Sequence, residues 1–373
     1  IILWNDTRAK NMVYPHAFFD GPPDHYQRTG IPALSPEFMV AKLYWFREIL
    51  PEVIAKTAKL CLISDYLTLW LTGLHVTEVG VAGLTGLLNI QDQNWCPQAL
   101  EHFQVNPGWM PTPMPAGSNL GALHPDLQSA LNLPHACQFI LGTLDQYAGA
   151  IGVANIRPGS VSETTGTVLA TVRCTDQFDP QPDSGIFWGP ASGDHYYQMV
   201  FGDISAGLLD FYRLQLTDPP TFAQLDEAAT RIAPESLECT LPLTESTASI
   251  HATLCDWARD LPQGQATRAI LEGVAYALND QLCLLSMGTL PDHVTCAGGA
   301  ARSDLWLQIK ADVLNIATRR SDCSEATSLG AAMIAMAALT QTPLTDVVAQ
   351  CVNLEVEFAP DPIAHEYYKA SRT

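Results

Sequence analysis

Three short segments carry the residue types and spacings that could do proton or phosphate chemistry. In the first, Asp145 follows Gly142-Thr143-Leu144, where an apolar run over 135–144 gives way to the small-residue segment Gln146-Tyr147-Ala148-Gly149-Ala150. An aspartate at that point reads equally as a helix N-cap and as a general base at a strand's carboxyl end, where α/β proteins place their ligands. In the second, Thr164-Thr165-Gly166-Thr167 offers backbone amides and hydroxyls to phosphate oxygens, although threonine-rich hairpins are also ordinary β-sheet. In the third, Gly298-Gly299-Ala300-Ala301 separates an apolar strand from a helix opened by Ser303. A ligand can approach such a backbone closely, and a plain strand–helix connection uses the same residues. Other chemistries lack their patterns. No Gly-x4-Gly-Lys-Ser/Thr or Gly-x-Gly-x-x-Gly occurs, no two cysteines form Cys-x2-Cys, the histidines have no ligand spacing, and Ser205-Ala206-Gly207 lacks the Gly-x-Ser-x-Gly frame.

These segments need elements to hold them. Residues 135–144 read as a strand feeding a tightly packed helix over 146–153, and 160–172 as a β-hairpin turning at Gly166. Apolar periodicity predicts helices over 41–48 before Pro51, 64–71 with Gly73 as the stop, 268–285, 303–314 and 328–339. Residues 292–297 read as a strand, 298–301 as a tight loop, Ile1-Ile2-Leu3-Trp4 as a buried strand, and the four prolines of 106–115 as an extended connector. Trp45, Trp70, Trp257 and Trp306 lie on helical stripes and are expected in the core. A change of pattern near Asn155 suggests domains at 1–155 and 156–373.

Length and composition limit what the site can serve. A chain of 373 residues exceeds what one core usually supports, so two α/β domains with a cleft between them are expected. Hydrophobic residues make up 47% and charged residues 16%, which excludes global disorder. With 19 Lys and Arg against 39 Asp and Glu, the net charge of −20 repels nucleic acid and anionic membranes. A small anion can still bind where local amides or a metal ion supply positive potential. Ten scattered cysteines read as small core residues in a reducing compartment, so a cytoplasmic protein is expected. No apolar run approaches the ~20 residues of a membrane span, and the first residues lack the pattern of a secretory signal.

Taken in order, these segments resemble the FGGY family of carbohydrate kinases, most closely its xylulokinase branch. Trp4-Asn5-Asp6-Thr7-Arg8, Ser64-Asp65-Tyr66-Leu67 with Gly73, and Gly142-Thr143-Leu144-Asp145-Gln146 are similar to motifs of the first half. Thr165-Gly166-Thr167, Glu272-Gly273-Val274, Gly298-Gly299-Ala300-Ala301-Arg302-Ser303 with Trp306, and Glu325-Ala326 with Leu329-Gly330-Ala331-Ala332 are similar to motifs of the second. The resemblance implies a two-domain actin-like ATPase (ribonuclease H-like) fold, with a sugar-binding domain over 1–155 and a nucleotide-binding domain over 156–373. It implies ATP and Mg²⁺ as cofactors, with no protein side chain assigned to the metal. Asp145 becomes the base and Gln146 a sugar ligand; Gly166 and Thr167 meet the phosphates, and Gly298, Gly299, Ala300 and Ser303 the adenosine.

The expected reaction converts D-xylulose to D-xylulose 5-phosphate. The alternatives are another polyol, ketose or aldonate kinase of gluconate, ribulose or glycerol type, and a nucleotide- or sugar-binding protein of the same fold without turnover. Partners are the sugar and ATP, with no nucleic acid and no membrane; a homodimer is an assembly open to the chain. Three departures stand out. The family's Asp-x-Gly-Thr hairpin and Met-His segment belong upstream of Trp4 and do not occur in this sequence. Val168 replaces a usual serine, and Leu243-Thr244-Glu245-Ser246-Thr247 stands in place of a Gly-Glu-Arg-Thr-Pro segment. These residues alone are therefore expected to keep an adenosine pocket without sugar-dependent ATP hydrolysis.

Overall fold

Strands and helices alternate along the chain, and the computed structural model describes them over residues 2–3, 6–234, 261–286, 288–354 and 356–370. They fall into two compact units, one made of 1–148, 175–198 and 331–347, the other of 149–174, 199–330 and 348–373.

In the first unit the helix Met39–Ile49 buries Val40 and Leu43 against Phe18, Ile31, Leu87, Leu100 and Phe103. The helix Ile63–Thr72 starts where the Asp65 carboxylate accepts the Leu62 N–H at 2.8 Å and stops at Gly73, whose φ of +79° few other residues adopt. Val76–Glu78 runs parallel to Thr112–Met114, and Asn119–Ala122 runs antiparallel to Gln138–Ile140. The strand at 112–114 corrects the expectation of an extended connector over 106–115. Pro113 fits there because a two-stranded ladder is all edge, where a missing N–H is tolerated.

Two other expectations fail in this unit. Ile2 and Leu3 form no strand, and Leu3 is 64% exposed; Ile1, Trp4 and Asn5 lie outside the described residues. Trp70 is half exposed rather than core, because its helix turns the side that carries Asp65 and Thr68 inward instead. Trp45 is only partly buried, under the Arg8 guanidinium. Trp306 is buried as expected, and Trp257 lies outside the described residues. The cysteines are mixed too: all eight described are free, but only Cys96, Cys174 and Cys296 are buried, while Cys283 is exposed. No helix among the described residues is long and apolar enough to cross a membrane.

In the second unit five strands lie side by side. Their order is Val356–Phe358, Ala317–Arg320, His293–Ala297, Val161–Thr165 and Leu169–Thr175. The three central ones are parallel and the outer two antiparallel to their neighbours. Leu169–Thr175 pairs with Val161–Thr165 in the hairpin expected from sequence, and the Gly166 N–H donates to the Val168 carbonyl to close its turn. The 24-residue helix Gln263–Ser286 supplies the core with Ile270, Leu271, Val274 and Leu278, all fully buried. Because 161–165 and 293–297 are parallel, with Ala297 opposite Thr164, both chains leave the sheet at the same end. Gly166 and Gly298 are therefore neighbours, a consequence of register.

Beneath these turns lies an ion pair wholly shut off from solvent. Lys310, on the helix Asp304–Leu314, donates to Glu163 at 2.6 Å and to the Thr165 hydroxyl at 2.9 Å; that hydroxyl donates to the other Glu163 oxygen at 2.5 Å. Removing one member of such a pair strands a buried charge. Lys310→Met should lower unfolding free energy by about 3–5 kcal/mol, and the double variant Lys310→Met, Glu163→Gln should regain much of that loss. Urea unfolding followed by circular dichroism measures both, and a Lys310→Met variant as stable as the parent would contradict the assignment.

Candidate active site

Asp145 opens the helix Asp145–Gly152 and is exposed. The Ala148 N–H donates to the Leu144 carbonyl, so Leu144 occupies the N-cap place and Asp145 is the first helical residue. Its carboxylate accepts only the amide of the next residue, Gln146, at 2.7 Å, and no deeper amide of the first turn. The N-cap reading is thus set aside, and a carboxylate facing outward remains. Gln146 is half-buried beside it.

The helix itself is held tightly, as its small residues predicted. A Cβ on Gly149 would lie 3.3 Å from the Thr327 hydroxyl, and one on Gly152 only 1.8 Å from the Ala326 carbonyl oxygen. Tyr147 is buried, and its phenol lies against Gly189, where a Cβ would come within 2.0 Å of the oxygen. Sequence reading missed Glu78, which is buried at the end of its strand and accepts the Val81 N–H at 3.0 Å. Burial pushes its carboxyl up to about 7.

In the second unit the structure brings together Gly166, Thr167, Gly298 and Gly299. Thr167 is exposed at the hairpin turn, and its carbonyl accepts the hydroxyl of Ser205, the N-cap of the helix Ala206–Gln215, at 2.7 Å. Gly298 has φ of +82° and sits so close that a Cβ would meet the Thr165 carbonyl oxygen at 3.2 Å. Ala300 is buried, whereas Gly299 is exposed. The Ser303 hydroxyl caps the following helix by accepting the Trp306 N–H at 3.0 Å, as its place in the sequence predicted. Arg320 braces the loop through the Ala301 carbonyl and Asp304. Ser205 carried a signal, a serine before two small residues at a helix start. Glu78 and Lys310 carried none.

The glycines separate fold from site. Most have positive φ or a neighbour that a Cβ would touch, and Gly273 and Gly330 are buried within helices. Gly142, Gly166 and Gly299 have neither: their backbone is ordinary and the space beside them is open. One stands in each of the three segments singled out by sequence. Open glycine backbone at adjacent strand ends fits a nucleotide's approach. Among the described residues no three His, Cys, Asp or Glu side chains gather to hold a metal. Mg²⁺ asks for less, since it keeps waters and phosphate oxygens as ligands and takes one or two carboxylates.

The N-terminal domain model of the FGGY family of carbohydrate kinases matches residues 1–152 and the C-terminal domain model matches 242–339. The chain is 28% identical over 384 residues to the xylulose kinase of Escherichia coli (strain K12), covering 100% of this chain and 78% of that protein. Its fold is similar to the gluconate kinase of Lactobacillus acidophilus, with a TM-score of 0.86 at 23% identity over 99% of this chain and 77% of that one. It is equally similar to the xylulose kinase of that organism, with a TM-score of 0.85 at 22% identity and the same coverage. The fold is the two-domain α/β architecture of these actin-like ATPases. With both domain models matched in order over more than half of its length, the chain belongs to the FGGY family of carbohydrate kinases.

Proposed function

We propose that this sugar kinase transfers the γ-phosphoryl group of ATP to a terminal hydroxyl of a ketose, D-xylulose, giving D-xylulose 5-phosphate. The observation that carries the reading is the set of three unconstrained glycines, Gly142, Gly166 and Gly299, each in a segment of the family's motif order. Residues 1–155 are assigned to sugar binding and 156–373 to nucleotide binding. Asp145, outward-facing and free of capping duty, takes the proton of the attacking hydroxyl; Gln146 holds a neighbouring hydroxyl. Gly166 and Thr167 meet the phosphates at the hairpin turn, and the open backbone of Gly299, between the buried Ala300 and the positive-φ Gly298, accommodates the adenosine, with Ser303 fixing the loop. Phosphoryl transfer asks mainly for such positioning and for neutralised charge, the part that Mg²⁺ bound with the nucleotide supplies. Val168 in place of serine does not weaken the turn, because the turn uses the Val168 carbonyl.

The likeness to a gluconate kinase supports an aldonate as the second reading. A coupled ADP-release assay on the full-length protein with D-xylulose, D-ribulose, gluconate and glycerol separates these substrates. No turnover with any of them, alongside measurable ATP binding, would favour a binding protein instead.

Asp145→Asn should leave ATP and sugar affinity nearly intact in calorimetric titrations while lowering turnover by roughly 10²–10⁴, the range of a positioned base. Loss of affinity without a matching loss of turnover would remove Asp145 from the chemistry. A Cβ at Gly299 has no described atom within 4 Å, so the melting temperature of Gly299→Val should stay near the parent's while ATP binding weakens far more than sugar binding. Gly298→Val, strained in φ and against Thr165, should instead lose stability. Equal effects of the two on melting would overturn the distinction.

A further inference from the structure

We propose that Lys310 is a positioning residue for the nucleotide, its buried ammonium holding the turn at Gly166 and the loop at 298–303 in one fixed relation. The inference rests on the assignment of Gly166 and Thr167 to the phosphates and of the 298–303 loop to the adenosine. Lys310 is wholly buried, so it acts through its neighbours and not by touching a ligand. Those neighbours lead in two directions.

The first direction is the phosphate turn. Glu163 and Thr165 stand two apart on the strand Val161–Thr165 and so face the same side of the sheet. The Lys310 ammonium donates to one Glu163 oxygen at 2.6 Å and to the Thr165 hydroxyl at 2.9 Å, and that hydroxyl donates to the other Glu163 oxygen at 2.5 Å. Both bonds of the hydroxyl are charge-assisted, the strong class. Thr165 is also the last residue of its strand, joined directly to Gly166, whose N–H closes the turn on the Val168 carbonyl at 3.1 Å.

The second direction is the adenosine loop. The same ammonium lies 5.3 Å from the centre of the Trp306 ring, four residues earlier on the helix Asp304–Leu314 and within reach of a cation–π attraction. Trp306 ties that loop down: its backbone N–H donates to the Ser303 hydroxyl at 3.0 Å and its indole N–H to the Leu271 carbonyl at 3.1 Å. A third contact closes the circuit. A Cβ on Gly298 would meet the Thr165 carbonyl oxygen at 3.2 Å and the Thr164 methyl at 3.3 Å, so the loop packs on the strand end that Lys310 holds. All of these residues belong to the second unit.

Stability alone does not call for this arrangement. A buried ion pair about breaks even against apolar side chains of the same volume. Apolar contact has no direction, however, whereas a hydrogen bond demands both distance and angle. What the lysine adds is therefore a defined place for Thr165 relative to Trp306, and hence for the turn relative to the loop.

The test titrates ATP, ADP and adenosine into the full-length protein by calorimetry, with melting temperatures alongside. Thr165→Val keeps the ion pair and the side chain's shape but removes the hydroxyl between Lys310 and the turn. It should weaken ATP and ADP by about 3–30-fold, the range for residues that act on a site without touching its ligand, with adenosine changed by less than about twofold. Thr165→Ser, which keeps the hydroxyl, should bind ATP like the parent; a serine variant as weak as the valine one would assign the effect to packing and overturn the proposal. The double variant Lys310→Met, Glu163→Gln should recover the stability lost in Lys310→Met yet bind ATP no better than Thr165→Val, and weaken adenosine too because Trp306 loses its cation. It decides the question if Thr165→Val fails to fold. A Cβ on Gly166 has no described atom within 4 Å, so Gly166→Val should fold and weaken ATP on its own account. Parental ATP affinity in Thr165→Val and in the double variant, with Gly166→Val weakened, would reduce Lys310 to a stability element and leave the phosphate reading standing. Parental affinity in Gly166→Val would remove that reading and this inference with it.

Discussion

A lysine ammonium cannot be shut away from water unless an opposite charge balances it, and in the second unit that requirement organises everything around Lys310. Its Nζ is bound by Glu163 and Thr165, and Thr165 is bound in turn by Glu163, a closed triangle with no exposed member. Such pairs roughly break even against an apolar core, but a misplaced partner costs several kcal/mol. The helix 304–314 therefore cannot slide along the sheet without leaving a charge unpaired. Because Thr165 is the last residue before Gly166, and the helix begins just after the Gly298 loop, the same triangle fixes the spacing of both candidate nucleotide turns.

The first unit meets a related problem differently. Glu78 is buried too, and it accepts the Val81 amide. Amides direct a carboxylate well and stabilise its charge less, so burial wins and the group titrates near neutral pH. One unit thus joins its strand and helix through a buried ion pair, whereas in the other a carboxylate is pushed up by burial to about 7.

The sequence made local features legible for physical reasons. Gly73 stops its helix because only glycine takes that φ cheaply, and Ser303 starts one because its hydroxyl reaches the Trp306 amide. The hairpin at Gly166, the strand at 293–297 and the small-residue helix after Asp145 all follow from patterns confined to a dozen residues. Glu163 and Lys310 stand 147 positions apart, and nothing in either neighbourhood announces the other. Trp70 illustrates the remaining failure: its helix buries the side with Asp65 and Thr68, the reverse of what apolar periodicity predicts.

Glycine usage supplies the final step. A glycine costs about 0.5–1 kcal/mol in conformational freedom relative to alanine, so each one needs a return. Gly152 and Gly298 repay it inside the fold, the first by letting a helix meet the Ala326 carbonyl, the second by its positive φ against Thr165. Gly142, Gly166 and Gly299 repay nothing there: any side chain's first carbon would fit without contact or strain. Within this chain their bareness is unexplained, and what explains it must approach from outside. Gly142 stands close before Asp145, and Gly166 follows a strand whose parallel neighbour leads into the loop of Gly299, so the described packing around a first side-chain carbon does not require glycine at any of the three.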